Sequence, residues 1–363
     1  MRILYDGTIF NSQPYGGINR YFCNVIGALP KDWTPLLTTC ESYKDNQPEH
    51  PNLEVHPCRW QFRPRRISNW LRYNYFKSIY NAKKFDLVHP TYYSLLSAED
   101  LSHCPSPMVL TVWDMIHEHF PEQLDITGQQ AALKEKAIHA AQAIICISQN
   151  TKKDLLERFT IAEEKVSVVY LASELDIKSS YGLETLPHQP YFLYVGTRYG
   201  YKNFEILLQA MAKLNKRHPE VQLCLVGSPL TGDEQALSKA LNIEAQVVSL
   251  GYANDSFLAK LYRCSVAFIY PSLYEGFGIP PLEAMKCGTV VIASNASSIP
   301  EVVGHAGLMF APHSSDDLLE KMFYVLENPG EREALIQKGF CQADKFSWQK
   351  AAQETMAVYQ KVA

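Results

Sequence analysis

The sequence contains no uninterrupted apolar run of the ~18 residues that a membrane-spanning helix needs. Its opening, MRILYDG, meets an acid at Asp6, too early for the apolar core of a secretory signal. A cytoplasmic protein is the expectation. The nine cysteines are odd in number, scattered, and include no C-x-x-C pair, which excludes a readable disulfide framework and favours a reducing compartment. Cys146, Cys224 and Cys264 lie in apolar runs and read as small core residues. There is no D-x-D pair and no His/Cys cluster with ligand spacing, so the expectation is chemistry without a metal and without a bound cofactor. Positive charge is not in excess: the formal net charge is −4, which argues against general nucleic-acid binding. G-x-G-x-x-G is missing, and with it the dinucleotide fingerprint. No repeat of fixed period and no low-complexity tract occurs.

What is present is an ordinary globular composition, 47% hydrophobic and 20% charged, over 363 residues, enough for two or three domains. Short runs rich in Val, Ile and Tyr alternate with helix-period segments. In the second half the strand candidates are 166–171, 191–196, 221–227, 245–251, 266–271 and 289–294. Most are apolar throughout, as strands covered on both faces should be. Between them, Ile206, Leu207, Ala210, Met211 and Leu214 give a helix over 203–216 with Asn203 as its N-cap. A further helix is expected over 255–263. The first half repeats the pattern with strands at 2–7, 86–90, 108–114 and 143–148. The fold class is therefore α/β, with two Rossmann-like domains built on parallel sheets. The turn-rich segment 173–190 marks the join. The expected boundaries are 1–175 for the first domain and 176–345 for the second. The helical segment 346–363 either closes the second domain or packs back on the first.

The most specific segment is LYEGFGIPPLEAMKCG, 273–288, which follows a strand and opens a helix. Glu275 and Glu283 stand with seven residues between them. Gly276 and Gly278 permit a tight turn, and Pro280 and Pro281 suit a first helical turn. A helix N-terminus here offers N–H groups and a positive dipole end for a phosphate. The two carboxylates can accept hydroxyl hydrogen bonds at two places on an elongated ligand. The second segment, VGTRYGYKNFE, 195–205, puts Arg198 and Lys202 at the C-terminal edge of a strand, where ligands of such sheets bind. Together they can hold a diphosphate and stabilise charge that grows on it. Gly16 and Gly17, in the loop after the first strand, suit either a plain turn or a backbone contact with a ligand. In VWDMIHEHFPE, 112–122, Asp114 and His117 are candidates for contact with a sugar or acceptor, His117 reading equally as a structural histidine, while His119 reads as structural. Finally, 59–84 holds eight Lys/Arg, seven aromatics and no acid, a mixture that suits an anionic membrane surface or a lipid-linked acceptor, or equally a pair of surface helices.

At Glu275 and Glu283 the sequence resembles the family 4 retaining glycosyltransferases of the GT-B fold. The stretch 250–304 carries most of the likeness, joined by VGTRYGYKN, CISQNTKKDL and the late KFSW. The resemblance implies two Rossmann-like domains facing a cleft, the first on the acceptor side and the second binding the donor. It implies Arg198 and Lys202 on the diphosphate, Glu275 on the hydroxyls of the transferred sugar and Glu283 on the ribose. Gly251 and Tyr252 would meet the base, with Gly16 and Gly17 near phosphates and acceptor. Gly196, Asn203, Gly276, Phe277, Gly278 and Ile279 complete the implied donor site. The reaction implied is transfer of a hexose, mannose first, from a nucleoside diphosphate sugar such as GDP-mannose to a glycan or lipid-linked acceptor. One departure stands out: many relatives carry His before the acid of the fourth segment, where this chain has Trp113 before Asp114. A sugar-nucleotide epimerase, or a binding protein without catalysis, remains compatible with the same architecture.

Overall fold

The computed structural model describes residues 1–13, 16–40, 47–60, 63–82, 84–97, 101–104, 106–181 and 184–363. Pro14 and Tyr15 of the first loop, Gln61, Phe62 and Lys83 of the basic stretch, and residues 182 and 183 of the join lie outside these. The chain divides into two units, Met1–Leu171 with Ser347–Ala363, and Ala172–Phe346.

The first unit carries β1 (Arg2–Asp6), β2 (Thr34–Thr39), β3 (Glu54–Pro57), β4 (Leu87–Pro90), β5 (Val109–Val112), β6 (Ala143–Cys146) and β7 (Val166–Val168). They pair in parallel as β3-β2-β1-β4 and β5-β6-β7. A parallel bridge between Val88 and Met108 joins the two groups. Ile3, Leu4, Tyr5 and the whole of β5 are buried, which is why these strands read as continuous apolar runs. The expected 166–171 strand stops at Val168.

The last helix, Trp348–Val362, is part of this unit. Ser347 caps it by accepting from the Lys350 N–H at 3.2 Å. Its Thr355 hydroxyl lies 2.9 Å from Tyr21 Oη. The Tyr359 hydroxyl lies 3.2 Å from Tyr5 Oη and 2.6 Å from His89 Nδ1. His89 is fully buried, and its Nε2 is 2.9 Å from Thr111 Oγ1. Burial pushes the His89 pKa down to about 3, so a neutral imidazole sits in this polar knot.

The second unit carries β8 (Tyr191–Val195), β9 (Gln222–Val226), β10 (Val247–Gly251), β11 (Ala267–Tyr270), β12 (Val291–Ser294) and β13 (Leu308–Phe310), all parallel, in the order β10-β9-β8-β11-β12-β13. The helix Phe204–Leu214 lays Leu207, Leu208, Met211 and Leu214, all fully buried, against this sheet's core. Asn203 does not cap that helix. Its backbone is left-handed at φ 55°, and its amide donates instead to the carbonyls of Pro271 at 3.1 Å and Pro312 at 2.7 Å. It therefore ties together the chain leaving β8, β11 and β13. Cys264 is also corrected: it is exposed at the end of the helix Asp255–Cys264, whereas Cys146 and Cys224 are buried.

Both units share one topology. Strand order reverses between β1 and β4 in the first and between β8 and β11 in the second. In open parallel sheets, ligands bind beyond the carboxyl ends of the strands at that reversal.

Candidate functional site

In the second unit the reversal lies between the loop after β8, which carries Arg198 and Lys202, and the loop after β11, which carries Glu275. The two loops are joined by the Leu273 N–H donating to the Tyr201 carbonyl at 2.8 Å. Gly196, at φ 124°, ends β8, and Gly227, at φ 134°, ends β9. A Cβ on Gly227 would stand 2.8 Å from the Gly196 carbonyl, so only glycine lets these two turns approach.

Lys202 Nζ donates to Glu275 Oε1 at 2.7 Å, with side chains 16% and 12% exposed. The ammonium also lies 5.1 Å from the ring centre of Tyr201 and 5.7 Å from that of Tyr270. Burial alone would lower the Lys202 pKa. The Glu275 carboxylate and Tyr201 together outweigh it and hold the pKa above the ordinary lysine value. A permanent cation thus sits at the switch point. Glu275 is fixed in turn through its backbone: its N–H donates to Ser297 Oγ at 2.8 Å, and Ser298 Oγ is 2.8 Å from both the Glu275 and Phe277 carbonyls.

After Gly276 the chain passes Phe277, which packs edge-on against Phe346 with ring centres 5.6 Å apart. Gly278 then takes φ 118° as the N-cap of the helix Ile279–Lys286. Pro280 and Pro281 have no N–H, so Ile279 and Leu282 are the donors of the first turn. The helix end is a narrower anion receptor than four free N–H groups would make. Glu283 faces inward, 8% exposed, and accepts from Tyr262 Oη at 3.3 Å.

Arg198 points to the neighbouring strand end. Its Nε donates to Glu234 Oε1 at 2.8 Å, and its Nη2 donates to the carbonyls of Ser228 at 2.8 Å and Pro229 at 2.7 Å. The side chain is 4% exposed, and Nη1 is buried with no hydrogen-bond partner among the described residues. Glu234 also closes a capping box with Thr231. Tyr252, 82% exposed beyond Gly251, places its hydroxyl 3.1 Å from Ser228 Oγ. Arg198 and Tyr252 therefore converge on Ser228, while Lys202 and Glu275 form a separate pair.

The remaining candidates belong to the first unit. Gly16, in extended backbone, precedes the helix Gly17–Gly27. Asp114 Oδ1 accepts from the Ile116 N–H at 3.0 Å. The Asp114 carbonyl accepts from Lys134 Nζ at 2.9 Å, and that buried ammonium also meets Glu118 Oε2 at 2.8 Å. His117 Nδ1 is buried with no hydrogen-bond partner among the described residues. His119 Nε2 lies 3.5 Å from Asp154. Trp113, in the place where many family members carry His, is core: its ring packs edge-on to Tyr21 at 5.3 Å and Phe22 at 5.9 Å.

Sequence reasoning missed Asp6, which ends β1 at the first unit's reversal. Its oxygens accept from the Leu96 N–H at 3.1 and 3.0 Å and from Thr8 Oγ1 at 2.8 Å. Full burial nevertheless raises its pKa to about 7. Glu234, Tyr262, Ser297 and Ser298 were missed as well. Of these, only Glu234 had a readable signal, the T-x-x-E spacing from Thr231. Among the described residues, no group of three or more His, Cys, Asp or Glu is arranged to hold a metal ion. None of their helices is long and apolar enough to cross a membrane.

The chain is similar to known proteins along its whole length. Residues 15–176 match the family model for Glycosyltransferase Family 4, and residues 183–341 match the model for Glycosyl transferases group 1. The O-antigen chain mannosyltransferase B of Escherichia coli is 30% identical over 312 residues, covering 82% of this chain and 77% of that protein. The MMP alpha-(1->4)-mannosyltransferase of Mycolicibacterium hassiacum is 32% identical over 235 residues, covering 63% of this chain and 56% of that one. Among solved structures, sucrose-phosphate synthase from Thermosynechococcus elongatus superposes with a TM-score of 0.78 at 20% identity, covering 99% of this chain and 98% of its own. Anabaena HepE in complex with UDP and glucose gives 0.74 at 19% identity, covering 99% and 100%. These likenesses match the doubly wound topology of each unit. With a family model on each half and a 30% identical relative covered over 77% of its length, the chain belongs to the group 1, family 4 glycosyltransferases of the GT-B fold.

Proposed function

We propose that this glycosyltransferase transfers mannose from GDP-mannose to a glycan or lipid-linked acceptor in polysaccharide assembly, with retention of configuration and without a metal ion. The observation that carries the reading is the Lys202–Glu275 pair at the strand-order reversal of the second unit. Lys202 supplies a fixed cation for the diphosphate, which gains charge as its bond to the sugar breaks. Arg198 adds a second donor through Nη1, and the helix at Ile279 adds a dipole end. Glu275 accepts from hydroxyls of the transferred sugar, Glu283 from the ribose, and the turn at Gly251 and Tyr252 lies against the base. Retention by a covalent route needs a carboxylate nucleophile at the anomeric carbon. Glu275 is already tied to a cation, which supports the alternative course, reaction on one face with the leaving phosphate helping to deprotonate the acceptor. The names of the curated relatives, O-antigen chain mannosyltransferase and MMP alpha-(1->4)-mannosyltransferase, support mannose as the sugar.

The test offers GDP-mannose, UDP-glucose and UDP-galactose with octyl α-mannoside as acceptor, in EDTA, and reads the product's anomeric configuration by NMR. The expected result is consumption of GDP-mannose and a new α-mannoside. Turnover of a UDP-sugar alone, a β-linked product, an epimerised sugar without transfer, or activity that returns only with Mn²⁺ or Mg²⁺ would overturn the reading.

A further inference from the structure

The basic stretch that the donor chemistry leaves unused folds largely into one helix, Arg65–Ala82. That helix has two distinct faces. Ser68, Phe76, Ile79 and Tyr80 are buried and fix it to the first unit. On the opposite face, Ile67 is 49% exposed, Trp70 62% and Tyr73 37%. Spacings of three residues put these side chains on one solvent-facing stripe. Arg66 and Lys77 flank that stripe and are exposed, as are Arg59, Arg63 and Arg65 just before it; Trp60, also in that approach, is 48% exposed.

Ordinary surface helices do not expose Trp, Ile and Tyr together, because apolar area left in water is unfavourable. The charge is equally one-sided. Residues 59–84 hold eight of the chain's 34 Lys and Arg and none of its 38 Asp and Glu, although the whole chain is net negative. A face that pairs aromatic wedges with arginines, and carries no acid, is complementary to anionic headgroups over an acyl layer. A protein partner would more often meet charges of both signs.

We infer that the outer face of Arg65–Ala82, led by Trp70 and Ile67, docks this enzyme on an anionic lipid surface, with Arg59, Arg63, Arg65 and Arg66 at headgroup level. Attachment by one such helix is reversible and screened by salt. The inference is independent of the donor's identity.

The experiment is co-sedimentation of the full chain with vesicles of phosphatidylcholine alone and of equal parts phosphatidylcholine and phosphatidylglycerol, at low and high salt. Sedimentation velocity without vesicles runs alongside. The expected result is recovery with the anionic vesicles only, lost at high salt. The pair Arg65→Glu, Arg66→Glu, which reverses two interfacial charges, should weaken binding at least about tenfold, and Trp70→Ser, which removes the leading apolar wedge, should weaken it severalfold. Ile126→Ser, at a residue 86% exposed elsewhere in the same unit, should bind as wild type. Equal recovery with both vesicle types, or wild-type binding by Trp70→Ser, would overturn the inference. So would a self-association that Trp70→Ser abolishes in a protein that ignores vesicles, since the face would then meet a second copy.

Discussion

Replacing Lys202 by alanine separates the two things that its ammonium does. It neutralises Glu275 in the resting protein, at 2.7 Å and with both side chains largely buried. In the proposed function it also meets the charge that develops on a leaving diphosphate. Removing one partner of a buried ion pair costs about 3–5 kcal/mol, and the residual exposure of this pair sets the expected loss at ~3 kcal/mol. Removing a charged donor that acts on the transition state lowers the rate by about 10²–10³. Lys202→Ala should therefore melt earlier and lose about that much in kcat at saturating donor. Adding Glu275→Gln removes the orphaned carboxylate, so the double variant should recover much of the stability and none of the rate. Thermal unfolding beside steady-state kinetics reads both effects. If Lys202→Ala keeps more than about a tenth of wild-type kcat, or if the double variant recovers rate together with stability, the ammonium serves only the fold and the reasoning fails.

Three further outcomes are expected. Glu283→Gln should weaken nucleoside diphosphate binding by calorimetry more than Glu275→Gln does, since Glu283 is assigned to the ribose; the reverse order would mean that the roles are exchanged. Asp6, whose pKa burial raises to about 7, is held protonated by the fold. Its contribution is therefore fully present at pH below the ordinary carboxylate pKa and is lost as pH rises towards 7. Asp6→Asn should accordingly gain in melting temperature relative to wild type between pH 5 and pH 8, and parallel profiles would refute the assignment. Asn203→Ala should lose about 2–3 kcal/mol in denaturant unfolding, from two unmet carbonyls and a left-handed backbone, while Asn203→Gly should lose less because it keeps that backbone cheaply; equal losses would rule out backbone strain.

The central strands were legible because they are covered on both faces. β1, β8, β9, β11 and β12 are apolar without alternation, and the sequence has few other places for such runs. β2, β3 and β13 escaped notice. β2 begins Thr34-Pro35, β3 is a four-residue edge strand of mixed polarity, and β13 is three residues long. The segment 273–288 was legible because its glycines and prolines act locally, through backbone φ and the missing N–H. Partnerships were hidden for the opposite reason. Arg198 meets Glu234, and Glu283 meets Tyr262, across distances in sequence that no local rule spans. Asn203 shows the limit most clearly. Its position before the helix was read well, yet its side chain serves two carbonyls of other loops, so a cap preference gave the right place and the wrong work.

The return of Trp348–Val362 to the first unit has a consequence for how the protein is made. During synthesis Met1–Leu171 emerges first, but its core still lacks Tyr359, Thr355 and the hydroxyl that meets His89. Ala172–Phe346 is continuous and holds all six of its strands before the ribosome reaches Ser347. Domains generally complete in the order in which they leave the ribosome. Here the second unit is complete while the first still waits for its last helix. A chain cut before Trp348 would keep every strand of the second unit while the first lacked its last helix, leaving Tyr5 and His89 open to chaperones and proteases.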